Sequence, residues 1–548
     1  MEKESDVVAR PTYRRNILFQ TEYFEVVSCQ WGQGDESPLH GHGSSQCFAL
    51  VEEGSFENLT DLGLKQELAI KESGEVIVTP AGARHQIRCL SPIGRTLHVY
   101  TPKITSTLEK KLNFETPDEF EIKEALDLKL RSQGVTWEKL ETLFNSISQH
   151  SISTSSPYFM NQLFSGVHSQ AIAAENLIAK TKTTMATFEA SPVFTLIETE
   201  VVQKLCQKIG WPQDSSEGVT VPGGSSANFM ALHCARQRKF PNYKQTGQTA
   251  QKLKVFASDE AHYSLKKACV VLGLGLDALV SVETDEFGKI KASDLDLKIQ
   301  KSLSLGEIPL IVYATAGTTV LGAFDPISEM ARICQKNSIW LHVDAAWGGP
   351  ALFSERARPL MKDVSLADSM TFDAHKFFGA GLTCSFFLTR HPHVLFEAND
   401  VAGGDYLFHD SETLDRGRLT WQCGRRADAV SFWTLWKSLG DHGLGASVDR
   451  CFDLRDQLLT WIQQEPRLRL VAQPHFLNIC VQILPLNPLS DAKDWSLKVR
   501  NTLKENNLAM VNYANDSQGN SFLRMILAHP ELQLKELKNI LTWALEVQ

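Results

Sequence analysis

Residues 339–349 read Ile-Trp-Leu-His-Val-Asp-Ala-Ala-Trp-Gly-Gly. The run is apolar for the length of one strand, ends in Asp344, and passes into small residues and two glycines. A strand that ends in a carboxylate puts that charge at the carboxyl edge of a sheet, where α/β proteins bind their ligands. Two further runs share this texture, Lys-Leu-Lys-Val-Phe-Ala-Ser at 252–258 and Pro-Leu-Ile-Val-Tyr-Ala-Thr-Ala at 309–316, and helical segments fill the intervals. Short β-rich runs alternating with helices predict an α/β domain built on a largely parallel sheet.

Working outward from that centre, 119–185 repeats apolar residues at three and four in FEIKEALDLKLRSQG (120–134) and TWEKLETLFNSISQ (136–149), which predicts helices. The chain from 431 to 548 mixes helices with RLRLVAQ and FLNICVQIL, a smaller α+β domain after the large domain at 186–430. Residues 1–103 differ: strand-like pieces at Phe24–Val27, Cys47–Val51, Val76–Val78 and Thr96–Tyr100 alternate with Gly, Pro and Ser turns, predicting a small all-β barrel or sandwich. The polar stretch 104–118 reads as a linker.

With 548 residues, 43% hydrophobic and 22% charged, the composition is that of a soluble globular protein of several domains. Its net charge of −9 comes from interspersed acids and offers nucleic acid nothing to bind. The charged N-terminus lacks a signal-peptide core, and no apolar run approaches the ~20 residues that span a bilayer. Eleven cysteines without a C-x-x-C pair then imply reduced thiols in a cytoplasmic setting.

Three segments join Asp344. Val221-Pro-Gly-Gly-Ser-Ser-Ala-Asn228 precedes the helical run FMALHCAR; glycines, hydroxyls and a helix N-terminus together make a phosphate cradle. Thr371-Phe-Asp-Ala-His-Lys-Phe-Phe-Gly379 holds Lys376 behind His375 and before an apolar pair, a setting that keeps an amine partly desolvated for Schiff-base chemistry. Ser258-Asp-Glu-Ala-His-Tyr-Ser-Leu-Lys266 offers His262 for stacking and proton transfer. Each segment alone has an ordinary structural explanation, such as a helix cap or a surface lysine; the four in this order do not.

The order and wording resemble the group II pyridoxal-phosphate decarboxylases, over roughly 113–548. The resemblance includes NQLFSG (161–166), TFEASPVFTLIE (187–198), ATAGTTVLGAFDPI (314–327), DYLF (405–408) and QCGRRAD (422–428). It implies a fold-type I, aspartate aminotransferase-like domain, a homodimer, and pyridoxal 5'-phosphate as cofactor. By the same resemblance Lys376 carries the cofactor as a Schiff base, Asp344 faces its ring nitrogen and His262 stacks on it. Gly224 and Ser225 cradle the phosphate, with Thr318, Thr319, Ala346 and His375 close by. Arg425 clamps the substrate carboxylate with Gln162 beside it, and Tyr406 reprotonates the substrate carbon. Asp373 is a departure, standing where animal members usually carry Asn.

The first hundred residues contain Gly34-x5-His40-x-His42-x4-Cys47-x6-Gly54 and Gly74-x5-Pro80-x-Gly82-x2-His85. These resemble the two cupin motifs, with Cys47 where the usual glutamate stands. His40 and His42, two apart on a strand, face one side, and His85 completes three imidazoles. Three neutral nitrogens leave open positions on Fe(II) for substrate and dioxygen, although zinc or nickel would accept the same set. The segment resembles cysteine dioxygenases: His40, His42, Cys47 and His85 are followed by LHVYTP with His98 and Tyr100, and preceded by Tyr13-Arg-Arg-Asn16 and QWGQG at 30–34. That resemblance implies a Cys47–Tyr100 thioether supported by His98, and Arg15 on the carboxylate of L-cysteine. The domain is shorter than typical members, and Cys89 replaces a polar residue of the second motif.

The two resemblances meet at one metabolite, cysteine sulfinate. They predict a bifunctional enzyme that takes L-cysteine and O2 to cysteine sulfinate and then decarboxylates it to hypotaurine. DLKLRSQG at 127–134 and Phe164 in NQLFSG resemble the cysteine-sulfinate branch, and a bulky Phe164 would shorten the pocket against glutamate. The alternative is an aspartate or glutamate decarboxylase whose cupin only senses a ligand.

Overall fold

The computed structural model describes residues 14–20, 25–37, 40–41, 46–61, 66–73, 75–79, 84–101, 112–247, 250–401, 404, 406–408, 414–487 and 492–547; within these, the side chains at 14–20, 25–26, 40–41, 46, 59–61, 66–69, 78–79, 84–85 and 99–101 are not described. The chain divides into two compact units, Met1–Lys111 and Leu112–Gln548.

Seven strands form the central sheet of the second unit: β1 (Glu217–Val221), β2 (Leu253–Ser258), β3 (Leu279–Val282), β4 (Ile308–Thr315), β5 (Trp340–Asp344), β6 (Ser369–Asp373) and β7 (Ser385–Thr389). Their order is β1-β7-β6-β5-β4-β2-β3. Only β7 runs against its neighbours, so β1 is parallel to β6 and the carboxyl ends of β1, β2, β4, β5 and β6 share one edge. Every residue of β5, β6 and β7 is buried, as strands covered on both faces require. The apolar stretch that ends in Asp344 is the middle strand of this sheet.

A second sheet orders Phe159–Met160, Met510–Asn515, Ser521–Ile526, Asn478–Ile483 and Leu468–Leu470. Its first strand comes from the region expected to be purely helical and pairs in parallel with Met510–Asn515, stitching that region to the C-terminal domain. Within the stretch expected to be linker at 104–118, Phe114 is fully buried and its amide donates to Asn507 Oδ1 at 2.7 Å. The first predicted helix also ends early, at Ala125. Beyond it Leu126, Leu128 and Leu130 repeat at two, a spacing that gives a helix no apolar stripe, and Leu130 is fully exposed.

The described residues of the first unit form two antiparallel sheets. One orders Arg14–Gln20, Glu25–Gly32, Ile93–Thr101, Gln46–Glu53 and Val76–Thr79; the other orders His40–Gly41, Arg84–Cys89, Phe56–Asp61 and Gln66–Lys71. Alternate residues Val27, Cys29, Trp31 and Cys47, Ala49, Val51 turn inward to a core shared with Phe56, Ile77, Ile87 and Cys89, the period of two that half-buried strands demand. Among the described residues no helix is long and apolar enough to cross a membrane.

Candidate active site

Strand ends at the carboxyl edge of the seven-stranded sheet line a cavity of about 240 Å³. After β1 the chain turns through Gly223, at φ +93°, a conformation that glycine adopts without strain, and enters the helix Gly224–Lys239. Gly224 and Ser225, at the start of that helix, line the cavity, so unpaired amides of its first turn lie at the cavity wall. From β4 come Thr315, Gly317 and Thr319; from β5, Asp344, Ala346 and Trp347; from β6, Asp373, His375 and Lys376. His262 reaches the same cavity from the loop after β2.

Asp344 is held rather than loose. Asn228 Nδ2 donates to its Oδ2 at 2.7 Å and the Ala346 amide to its Oδ1 at 3.1 Å. Asn228 is itself fixed, since its Oδ1 accepts from Thr371 at 3.0 Å and lies 3.1 Å from His342 Nε2. Burial lowers the His342 pKa to about 3, so this ring is a neutral brace at physiological pH. Asn228 was not singled out from the sequence, although it ends the quoted cradle segment, one helical turn after Gly224.

Lys376 Nζ lies 3.1 Å from Asp373 Oδ2, with its side chain one-fifth exposed to the cavity. His375 lies 3.1 Å from the Cys384 carbonyl through Nδ1, and burial lowers its pKa despite the nearby Asp373. Burial likewise lowers the pKa of His262, against the opposing pull of Asp344; its Nδ1 accepts from the Ser264 amide at 3.2 Å. Both rings are therefore disposed to be neutral, able to take up a proton rather than repel a cation.

Several expected site residues are elsewhere. Thr318 is buried away from the cavity, its hydroxyl accepting from the Ala323 amide at 3.0 Å as a turn brace. Phe164 does not line the cavity; it packs on Phe159 with ring centroids 6.0 Å apart, and Leu163 takes the lining position. Gln162 is exposed, its Oε1 accepting from Asn161. Tyr406 is 79% exposed, and the adjoining Asp405 and residues 409–413 lie outside the described residues.

Arg425 is the clear correction. Its guanidinium is spent on buried Glu198 and on the Thr220 hydroxyl at 2.7 Å, so it cannot reach a substrate carboxylate. Burial alone would raise the Glu198 carboxyl, but Arg425 and Arg416 hold it below the ordinary range. A guanidinium that the sequence patterns do not single out is that of Arg524, 6% exposed, which donates to the carbonyls of Thr319 at 3.0 Å and Asn161 at 2.8 Å. It thus sits between two segments that line the cavity, and its Nε is buried with no partner among the described residues. The signal was present: SFLRMI is a strand with one charge in an apolar run.

In the first unit, Cys47 Sγ lies 3.6 Å from His98 Nδ1, and His98 Nε2 lies 2.7 Å from Thr96 Oγ1. Trp31 Nε1 donates to the same hydroxyl at 2.9 Å, leaving the Thr96 hydrogen available to the imidazole. In the strand register Cys47 stands opposite Tyr100, His40 opposite His85, and Arg15 opposite Cys29. The side chains of Arg15, His40, His85 and Tyr100, and all of His42, lie outside the described residues. Among the described residues no cluster of three metal-binding side chains occurs.

The conserved-domain profile of the pyridoxal-dependent decarboxylases matches residues 120–484. The chain belongs to that family. It is 36% identical over 453 residues to human cysteine sulfinic acid decarboxylase, covering 80% of this chain and 91% of the relative. Against the acidic amino acid decarboxylase GADL1 of Xenopus tropicalis the identity is 34%, over 80% of this chain and 88% of the relative. The crystal structure of mouse CSAD superposes with a TM-score of 0.76 at 34% identity, over 81% of this chain and 96% of that one. As a member of the family, the protein is a pyridoxal-phosphate-dependent amino-acid decarboxylase with a fold-type I catalytic domain. The residues fit the cofactor: a helix N-terminus for the phosphate, a held carboxylate for the ring nitrogen and an amine in the same cavity. The matched residues begin after Met1–Lys111, so the first unit lies outside the decarboxylase domain.

Proposed function

We propose that the protein makes hypotaurine from L-cysteine in two steps, an iron-dependent oxidation of the thiol to the sulfinate in the first unit and a decarboxylation in the second. The observation that carries the second step is the similarity, over about four-fifths of the chain, to proteins named cysteine sulfinic acid decarboxylase. In balance, cysteine and dioxygen give cysteine sulfinate and a proton; the sulfinate and a proton then give hypotaurine and carbon dioxide.

Bound pyridoxal phosphate supplies an electron sink for the carbanion left by departing carbon dioxide. Lys376 offers the amine that holds it, and Asp344, oriented by Asn228, keeps a negative charge against the ring nitrogen. Gly224 and Ser225 hold the phosphate on helix amides. His262 is the ring neighbour, and Tyr406 delivers the proton to the substrate carbon. The helix Trp137–His150 buries none of its own residues and exposes Trp137, Phe144 and Ile147, which suits a second copy of the chain in a homodimer.

Arg524 takes the carboxylate role withdrawn from Arg425, because its Nε is the unpartnered donor beside Thr319. Arg524→Lys keeps the charge but loses the fork that binds two oxygens at once. A charged hydrogen bond is worth roughly 1.5–3 kcal/mol, so kcat/KM for cysteine sulfinate is expected to fall about ten- to a hundredfold with cofactor occupancy unchanged. Unchanged kcat/KM would return Arg524 to a purely structural role.

The oxidative step rests on the register. His40 and His85 stand opposite each other, and opposed positions bring Cβ atoms to about 4.5–5.5 Å. Iron held there by His40, His42 and His85 supplies the means of activating dioxygen. Cys47, opposite Tyr100 and against His98, fits the thioether partner, and Arg15 is the group for the cysteine carboxylate.

The substrate test supplies the purified protein with cysteine sulfinate, aspartate and glutamate in parallel and measures the amine formed from each. Hypotaurine is expected at a kcat/KM at least about tenfold above β-alanine or γ-aminobutyrate. A preference for aspartate or glutamate would replace the sulfinate reading.

A further inference from the structure

The second unit holds another cavity, of about 460 Å³, lined from both its large and its C-terminal domain. The loop after β2 brings Glu260, and the turn at 284–288 brings Asp285 and Glu286. Val320 and Leu321 form one wall, and the C-terminal domain supplies Arg469, Gln482, Asp516 and Phe522. Gly288, at φ +78°, lets its turn come close. A Cβ there would lie 3.1 Å from Leu321 Cδ1 and 3.9 Å from Glu260 Cγ. None of these residues lines the cavity of Asp344 and Lys376.

Two of the carboxylates serve their own turns. Asp285 Oδ1 accepts from the amides of Phe287 at 2.9 Å and Lys289 at 3.0 Å. Asp516 accepts from the amides of Gln518 and Asn520 and from Asn520 Nδ2. Glu260 and Gln482 differ. Glu260 is partly buried and makes no hydrogen bond or ion pair among the described residues; burial and the like charge of Asp259 raise its pKa. Gln482 is 8% exposed and lines the cavity, yet its side-chain amide has no hydrogen-bond partner among the described residues. Directly opposite it in the strand register stands Arg469, exposed and without an ion-pair partner among the described residues. An amide more than nine-tenths buried and a desolvated carboxylate are both unfavourable unless a ligand answers them.

The unanswered groups describe the ligand. A carboxylate on the large domain calls for a cation, and an arginine beside an amide donor on the C-terminal domain calls for an anion. Among the described residues no three metal-binding side chains cluster, so the cation belongs to an organic molecule. We propose that this cavity is a second binding site, for a small zwitterion whose ammonium meets Glu260 and whose acidic group meets Arg469 and Gln482. An amine and an acid two or three carbons apart fit that description, and removing carbon dioxide from an acidic amino acid yields this class of compound. The site stands whichever such amino acid the enzyme consumes. Its walls adjoin the active site along the chain. Glu260 is two residues before His262, Val320 follows Thr319, and Phe522 is two before Arg524. A ligand here braces three segments that also build the active site.

The test uses full-length holoenzyme whose active site is filled with aminooxyacetate, an oxime-forming acid, so that binding elsewhere is read alone and without turnover. Calorimetry with hypotaurine is expected to show one site per chain, with a dissociation constant of about 1 mM or tighter. Ethylamine and ethanesulfinate each carry half of that molecule. Both should bind at least about tenfold more weakly, because each leaves one charged group of the cavity unanswered. Glu260→Gln removes the carboxylate and Gln482→Leu the buried amide, and either is expected to weaken hypotaurine at least about tenfold. Should Gln482→Leu not fold, Arg469→Ala decides in its place with the same expected loss, since it alters an exposed side chain. No binding by the blocked wild type, or wild-type affinity in Glu260→Gln and Arg469→Ala, overturns the site. Ethylamine binding as tightly as hypotaurine reduces it to a plain cation site and sinks the zwitterion.

Discussion

Lys376→Ala is expected to purify without covalently held pyridoxal phosphate and to decarboxylate cysteine sulfinate about a thousandfold more slowly or worse, a loss of roughly 4 kcal/mol of transition-state stabilisation. The reason is local. Among the described residues Lys376 is the one lysine lining the cavity, on the short helix Ala374–Phe377 directly after β6. Phe377 and Phe378 beside it are buried and anchor the turn, so the amine is held by packing and its ion pair with Asp373 rather than by chance. Lys266 and Lys267 lie near His262 in sequence but do not line the cavity and offer no substitute. Borohydride reduction followed by mass measurement reads the attachment: wild type should gain a pyridoxyl group and the variant should not. Wild-type turnover in Lys376→Ala would end the assignment.

The second large effect separates the two units. Supplied with cysteine under air, wild type is expected to consume oxygen and release hypotaurine, whereas His85→Ala should do neither and still decarboxylate added cysteine sulfinate. Removing one of three proposed protein ligands takes away the strand partner of His40, leaving the ion with two. Iron content, oxygen uptake and product are measured on the same preparations. Lys376→Ala gives the opposite pattern, oxygen consumption with cysteine sulfinate accumulating. Equal hypotaurine yields from wild type and His85→Ala, or no oxygen uptake by fully iron-loaded wild type, would reduce the first unit to a binding module.

Asp344, Lys376, His262, Gly224 and Ser225 were legible in the sequence because each sits at the end of a strongly patterned element. An apolar strand followed by Asp, a glycine turn before a helix, and a lysine before two phenylalanines all declare their local geometry through neighbours in the chain. The alternation of the first unit was legible for the same reason: inward Val27, Cys29 and Trp31 are set by the period of the strand. Partnership across the fold was not. Arg425 and Arg524 are both arginines in persuasive surroundings, and their sequences do not say which one is answered by a carboxylate. Glu198, 227 residues away, pairs with Arg425 and removes it from the site, while Arg524 finds only carbonyls and keeps an open donor. The same holds for Phe164, turned onto Phe159 by the small strand that pairs with Met510–Asn515. It holds for Asn228, whose grip on Asp344 spans 116 positions. Short-range chemistry sets which residue types stand at each strand end; burial and long-range pairing decide which of them are free to act.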